Sequence, residues 1–236
     1  MRETPTISHI DRLDLSFAPR LWEFAVERRT EIDAFFNGLR QHRPAIWNGR
    51  VLLLHHHQMV TGGVFRGEFL ETDYASFAAW HHWGQPPAKV RNCFSAAAIL
   101  TADDAFLLGV MGSHTFNAGK IYFPCGTPDP KDIVGDKVDL ELNVKRELHE
   151  ETGLKFAEFV REPGWTMVTD GPLIAQIKVL RSKETSAVLR GRILMHLAAE
   201  QHPELVDIRI IRKLADIDPA MPRFVAAFLA SRLACS

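Results

Sequence analysis

Residues Arg146-Glu147-Leu148-His149-Glu150-Glu151-Thr152-Gly153-Leu154 decide how this chain is read. Upstream, Leu140, Val144 and Leu148 recur four apart and form one apolar ridge, which predicts an amphipathic helix from Asp139 to about Thr152. Asp139 offers an N-cap carboxylate for the orphan N–H groups of the first turn. Gly153 can take the left-handed conformation that stops a helix. At about 100° per residue, Glu147, Glu150 and Glu151 fall within one arc of about 100°. Glu151 projects between Leu140 and Val144, toward the packed side.

Three carboxylates on one face repel each other, and one that leans into a core is costly to desolvate. A divalent cation removes both penalties. Mg²⁺ (or Mn²⁺) prefers oxygen ligands and uses a few carboxylates with substrate phosphates and water. Arg146, beside Glu147, can orient one carboxylate through a bidentate hydrogen bond. A solvated acidic face is the plain alternative, and Glu-x-x-Glu-Glu alone would favour it. The whole pattern does not. At ordinary residue frequencies a chance match in a chain this long is on the order of one in a hundred thousand.

Residues 146–154 resemble the second half of the Nudix box, Gly-x5-Glu-x7-Arg-Glu-U-x-Glu-Glu-x-Gly-U with U aliphatic, and match it throughout. A hairpin at Phe94–Leu100 and Ala105–Gly109 precedes Phe123-Pro124-Cys125-Gly126, which looks like the family's Pro-Gly-Gly lead-in. The resemblance covers roughly residues 91–236, leaving residues 1–90 as an N-terminal extension. The first half of the box departs from the pattern: Val138 stands at its Glu position and Asp132 at its Gly position. With Gly126 as the box glycine, the connection to the helix is a lengthened, Pro/Asp-rich loop over residues 127–138.

The resemblance implies a mixed sheet layered between helices, with an α/β extension. It also implies hydrolysis of a nucleoside diphosphate linked to another group. Metal ions held by Glu147, Glu150 and Glu151 would bridge phosphate oxygens, neutralise developing charge and activate water. The main-chain carbonyl of Gly126 matches a further ligand position. Arg146, Glu147, Glu150 and Glu151 are the expected catalytic residues, with Glu147 or Glu150 as candidate general base.

Elsewhere, spacing predicts a helix from Ser16 to about Arg40 and strands at Ile46–Val60 and Val64–Leu70 around a Thr61-Gly62-Gly63 turn. A short helix over Tyr74–Trp83 ends at Gly84 and Pro86-Pro87, the candidate boundary near residue 90. Strands are also expected at 93–100, 105–110, 121–124, 156–161, 173–180 and 205–211, and helices at 184–200 and 219–234. This alternation predicts a mixed α/β (α+β) layered fold.

The 236 residues suffice for a core without disulfides. A net charge of −1 gives no footprint for nucleic acid or an anionic membrane. No apolar run approaches the ~20 residues that span a bilayer. Three cysteines, Cys93, Cys125 and Cys235, odd in number and with no two close in sequence, and an N-terminus without a signal-peptide core point to the cytoplasm.

Three further features invite function. His55-His56-His57 on one strand offers two ligands at most per face, so structural roles outweigh metal binding. Lys120 can meet phosphate, though a solvated lysine is the simpler reading. Cys125 lacks an activating partner and reads as packing.

Within the enzyme class, Trp47-Asn48-Gly49-Arg50, Asp73–Phe77 and Leu100–Asp104 look like the layout of UDP-sugar-hydrolysing Nudix proteins. The loop from Phe123 to Pro130 also resembles coenzyme A diphosphatases. A non-catalytic nucleotide-binding Nudix domain is the alternative outside catalysis, and the intact glutamate trio argues against it. The expected partner is a small nucleoside diphosphate derivative. The extension can buttress the sheet, shape a substrate pocket with Tyr74, Phe77, Trp80 and Trp83, or serve a homodimer contact.

Overall fold

A computed structural model describes residues 4–43 and 46–234. Cys235 lies outside them. In chain order they form β1 (Thr6–Ile10), β2 (Arg12–Phe17), α1 (Glu23–Glu27), α2 (Arg29–His42), β3 (Arg50–Val60), β4 (Val64–Asp73), α3 (Tyr74–His82), β5 (Asn92–Leu100), β6 (Phe106–Met111), β7 (Ile121–Tyr122), β8 (Cys125–Gly126), β9 (Ile133–Val134), β10 (Lys137–Val138), α4 (Leu140–Thr152), β11 (Val160–Arg161), β12 (Trp165–Asp170), β13 (Leu173–Arg181), α5 (Ser186–Ala199), β14 (Leu205–Ile211) and α6 (Arg223–Leu233).

The chain divides into two compact units. The first takes in residues up to 12, 94–126 and from 140 onward; the second takes in 13–93 and 127–139. The first carries a sheet in the order β1-β12-β13-β5-β6-β14, with β11, β7 and β8 paired to β13, β6 and β5. Strand β5 is buried along its whole length, as a central strand covered on both faces must be.

Successive side chains of a strand point to opposite faces. Phe94 meets Phe224 of α6, with ring centroids 5.2 Å apart. The next residue, Ser95, hydrogen-bonds Asn143 of α4. The sheet is therefore layered between α6 on one face and α4 on the other, a mixed α+β arrangement.

Under α6, Phe228 packs edge-to-face on Phe106 at 5.6 Å and on Phe123 at 5.4 Å. Aromatic pairs of this kind contribute beyond their buried area. Phe228→Leu keeps an apolar side chain but loses both ring pairs. It is expected to cost about 1–2 kcal/mol, read as a lower urea midpoint at unchanged slope.

The second unit carries a sheet in the order β3-β4-β2-β10-β9. Strands β3 and β4 pair antiparallel from Arg50↔Asp73 to Val60↔Val64, with a bulge between Leu54 and His56. Gly62 and Gly63 take φ of +80° and +65° in the turn, which glycine permits at little cost. Trp22, Leu53, Leu70, Trp80 and Val90 form one apolar cluster, and Ile32, Phe36, Ala75 and Ala79 another.

Several expectations are corrected. The helix expected over 16–40 begins as strand, because Leu13, Leu15 and Phe17 alternate and Pro19 follows. The helical part splits into α1 and α2 at Arg28. Residues 156–158 form a 3-10 turn rather than strand. β1 and β12, which pair from Thr6↔Thr169 to Ile10↔Trp165, were not expected.

The 127–138 segment is not a bare loop. Asp129 caps a 3-10 turn at Pro130–Asp132, β9 pairs with β10, and Lys137 of β10 pairs with Ser16 of β2. Trp80 is buried in the core, 1% exposed, its indole N–H donating to the carbonyl of Pro86 at 2.9 Å. Trp83 packs on Phe24 and Phe35 under the Arg28 guanidinium.

Candidate active site

Helix α4 runs to Thr152 and stops at Gly153, whose φ of +70° is the left-handed conformation expected there. It packs against β8, which pairs with β5 through Ser95↔Gly126 and Ala96↔Cys125. That ladder fixes the backbone of Gly126 beside the helix. A Cβ built at Gly126 would lie 2.2 Å from Glu147 Oε1. Glycine is thus required here for the Glu147 carboxylate to lie against the strand.

Arg146 lies beside two of the glutamates. Its Nη1 contacts Glu147 Oε1 at 2.8 Å and Glu150 Oε2 at 3.3 Å, holding two glutamates together. The i,i+4 spacing of Arg146 and Glu150 makes this reach available. The Glu147 side chain is 13% exposed and that of Glu150 56%.

Glu151 is only 6% exposed, as the helical wheel predicted. Its Oε1 accepts from the backbone N–H of Cys125 at 3.1 Å. Its Oε2 is buried with no hydrogen-bond partner. Burial, and then the nearby charges of Glu147 and Glu204, push its carboxyl well above the usual carboxylate range. An orphaned buried carboxylate oxygen beside two more glutamates is a site that a cation would satisfy.

Among the described residues, no three His, Cys, Asp or Glu side chains converge closely enough to cage a cation unaided. Mg²⁺ does not need such a cage, because substrate oxygens and water complete its shell. The donor set of Glu147, Glu150, Glu151 and the Gly126 carbonyl therefore fits a divalent metal completed by phosphate.

Lys120 is exposed in the turn before β7. Burial and the neighbouring Glu151 push the Cys125 thiol up, which leaves it protonated at neutral pH and no nucleophile. His55 and His57 are drawn down by burial, and among the described residues no metal-binding group of three includes them.

Three residues near the glutamates had escaped notice. Asn143 and Ser95 are both fully buried and bonded to each other. Glu204, beside β14, has a carboxyl raised by burial and by Glu150. Only Asn143 left a signal in sequence: a polar residue one helical turn before Glu147. A cavity of about 310 Å³ lies wholly within the second unit, lined by Trp22, Arg29, Arg50, Asp73 and Ser76 among others. Its arginines are tied to Asp73 and Glu71, and no box glutamate lines it.

No protein-family model and no curated protein matches the sequence. Solved structures do match. The chain is similar to Nudix proteins. One is a Nudix hydrolase, RenU, from M. smegmatis, at 15% identity and TM-score 0.38 over 61% of this chain and 86% of that one. A MutT protein from Methanosarcina mazei matches at 18% identity and TM-score 0.39, over 61% and 94%. The Nudix domain of Shewanella oneidensis NrtR, solved with ADP-ribose, matches at 18% and 0.40, over 67% and 98%. The glutamate helix, not these distant likenesses, carries the chemical reading.

Proposed function

We propose that this chain is a Nudix pyrophosphohydrolase that cleaves a nucleoside diphosphate linked to another moiety, with a divalent metal and water. One observation carries the reading: the buried, partnerless Oε2 of Glu151 within the box sequence, flanked by Glu147 and Glu150. A protein that only binds nucleotide gains nothing from a charge held at that cost. Glu147, Glu150, Glu151 and the Gly126 carbonyl would hold Mg²⁺ or Mn²⁺. When bound, the metal supplies positive charge against the pyrophosphate oxygens and acidifies the attacking water. Arg146 holds Glu147 and Glu150 at fixed separation, and Lys120 is a candidate phosphate contact.

The reading assigns the chemistry to residues 91–236 and substrate choice to the 1–90 extension. It makes the protein cytosolic, with a small-molecule partner and neither nucleic acid nor membrane. The charge of −1 supports this, and among the described residues no helix is long and apolar enough to cross a membrane.

Within this class we infer a UDP-sugar. Trp47 is 55% exposed beside Tyr74, and Asn48 Oδ1 accepts from the backbone of Ala75 at 2.8 Å, so an aromatic surface is held on an ordered turn. The choice of substrate rests on the likeness of Trp47–Arg50, Asp73–Phe77 and Leu100–Asp104 to the layout of UDP-sugar-hydrolysing Nudix proteins.

Hydrolysis with Mg²⁺ or Mn²⁺ is to be screened over nucleotide sugars, coenzyme A, ADP-ribose, dinucleoside polyphosphates and nucleoside triphosphates. UMP and a hexose 1-phosphate are the expected products. Release of 3′,5′-ADP and phosphopantetheine at a higher kcat/KM would replace the UDP-sugar with coenzyme A. No turnover of any of them would remove the hydrolase reading.

A further inference from the structure

Asn143 is the fourth residue of α4, 0% exposed. Asparagine is a poor helix former, and a buried amide is costly unless both its ends are bonded. Here both are. Ser95 on β5, also 0% exposed, donates its hydroxyl to Asn143 Oδ1. That bond settles which way the amide faces. Its Nδ2 then donates to Glu147 Oε1 at 3.4 Å. The same carboxylate oxygen takes Arg146 Nη1 at 2.8 Å.

We propose that Ser95 and Asn143 are positioning residues, a buried relay that fixes the orientation of the Glu147 carboxylate for the metal-assisted reaction. The proposal rests on the hydrolase reading above. Packing alone gives no reason for a polar pair: two apolar side chains of similar shape would fill the space without desolvation. Glutamate also has a long, rotatable side chain, so a single contact leaves its carboxylate free to turn. Arg146 holds Oε1 from its own turn of the helix and Asn143 from the turn before.

Ser95 ties this to the strand. It is also the residue paired with Gly126 in the ladder of β5 and β8. One position on β5 therefore registers both the Gly126 backbone and, through Asn143, the carboxylate that lies against it. Groups that orient the ligands of a metal in this manner affect affinity and turnover without touching substrate.

The test separates orientation from stability. The double variant Ser95→Ala/Asn143→Leu removes both partners of the buried Ser95–Asn143 bond together, so neither is left facing an unpaired group of the other. Its Tm is expected to equal or exceed that of the parent. Mn²⁺ affinity of the substrate-free protein, titrated by electron paramagnetic resonance, is expected to fall ~10-fold, and kcat by about 10–100-fold with KM little changed.

Parental Mn²⁺ affinity and kcat in the double variant overturn the relay and leave the hydrolase reading standing. A parent that neither binds Mn²⁺ nor turns over any screened substrate overturns both. Should the double variant not fold, Ser95→Ala in the same titration decides: a weaker loss in the same direction supports the relay, and parental affinity overturns it.

Discussion

Glu151→Gln is expected to raise the Tm of the metal-free protein while lowering kcat by at least ~10²-fold. The two effects share one cause. The Glu151 carboxyl is buried, has one partnerless oxygen, and faces the charges of Glu147 and Glu204, so its pKa is raised. A carboxyl whose pKa is higher in the folded than in the unfolded state binds more protons when folded. Stability then falls as pH rises.

The loss begins near the ordinary glutamate value of 4.5 and grows until the raised folded value is passed. Metal-free protein should therefore melt lower at pH 8 than at pH 5, and Glu151→Gln should flatten that slope. Added Mn²⁺ should raise the Tm of the parent at pH 8 and leave that of the variant nearly unchanged.

Glu150→Gln is expected to lose at least ~10²-fold in kcat as well, but without the gain in stability. Its carboxylate is more than half exposed and already faces Arg146. Near-parental turnover in both variants, or a Glu151→Gln protein less stable than its parent at pH 8, would sink the assignment of the site.

The box helix was legible because its signals are local. The Leu140, Val144, Leu148 ridge sets the helix, Gly153 stops it, and the wheel alone put Glu151 on the packed side. The return strand, expected over Val64–Leu70 and running on to Asp73, was legible for a similar reason, since Gly62-Gly63 specifies a tight turn.

What failed was whatever depends on distant pairing. β1 is five residues, four of them exposed, and becomes strand by pairing with β12, more than 150 positions away. Residues 12–17 carry apolar residues at spacings that fit either period once Leu21 and Phe24 are included; Pro19 settles it. Whether Trp80 and Trp83 cover a helix face or shape a pocket stayed open in the sequence, because composition does not say which face of a helix meets a neighbour. In the second unit that neighbour is Trp22 for Trp80 and Phe35 for Trp83. The contact between Ser95 and Asn143 spans 48 positions, and no periodicity reports it.

Gly126→Ala is expected to fold nearly as well as the parent and to lose ~10²-fold in kcat/KM. Gly126 is not among the glycines with positive φ, so alanine is conformationally allowed, and restricting the unfolded chain even favours it. The new methyl would meet Glu147 Oε1 at 2.2 Å, the carboxyl carbon at 2.3 Å and Oε2 at 2.7 Å. These atoms end a flexible side chain, so the carboxylate turns away and the strand does not move. Turning away breaks the contacts of Oε1 with Arg146 and Asn143. A misplacement of about an ångström at a catalytic group costs on the order of 10²-fold. A double-mutant cycle isolates the cause. If the methyl acts only by displacing this carboxylate, Gly126→Ala should add almost nothing to the loss already produced by Glu147→Ala. Fully additive losses would mean that Gly126 acts through its backbone and not through Glu147.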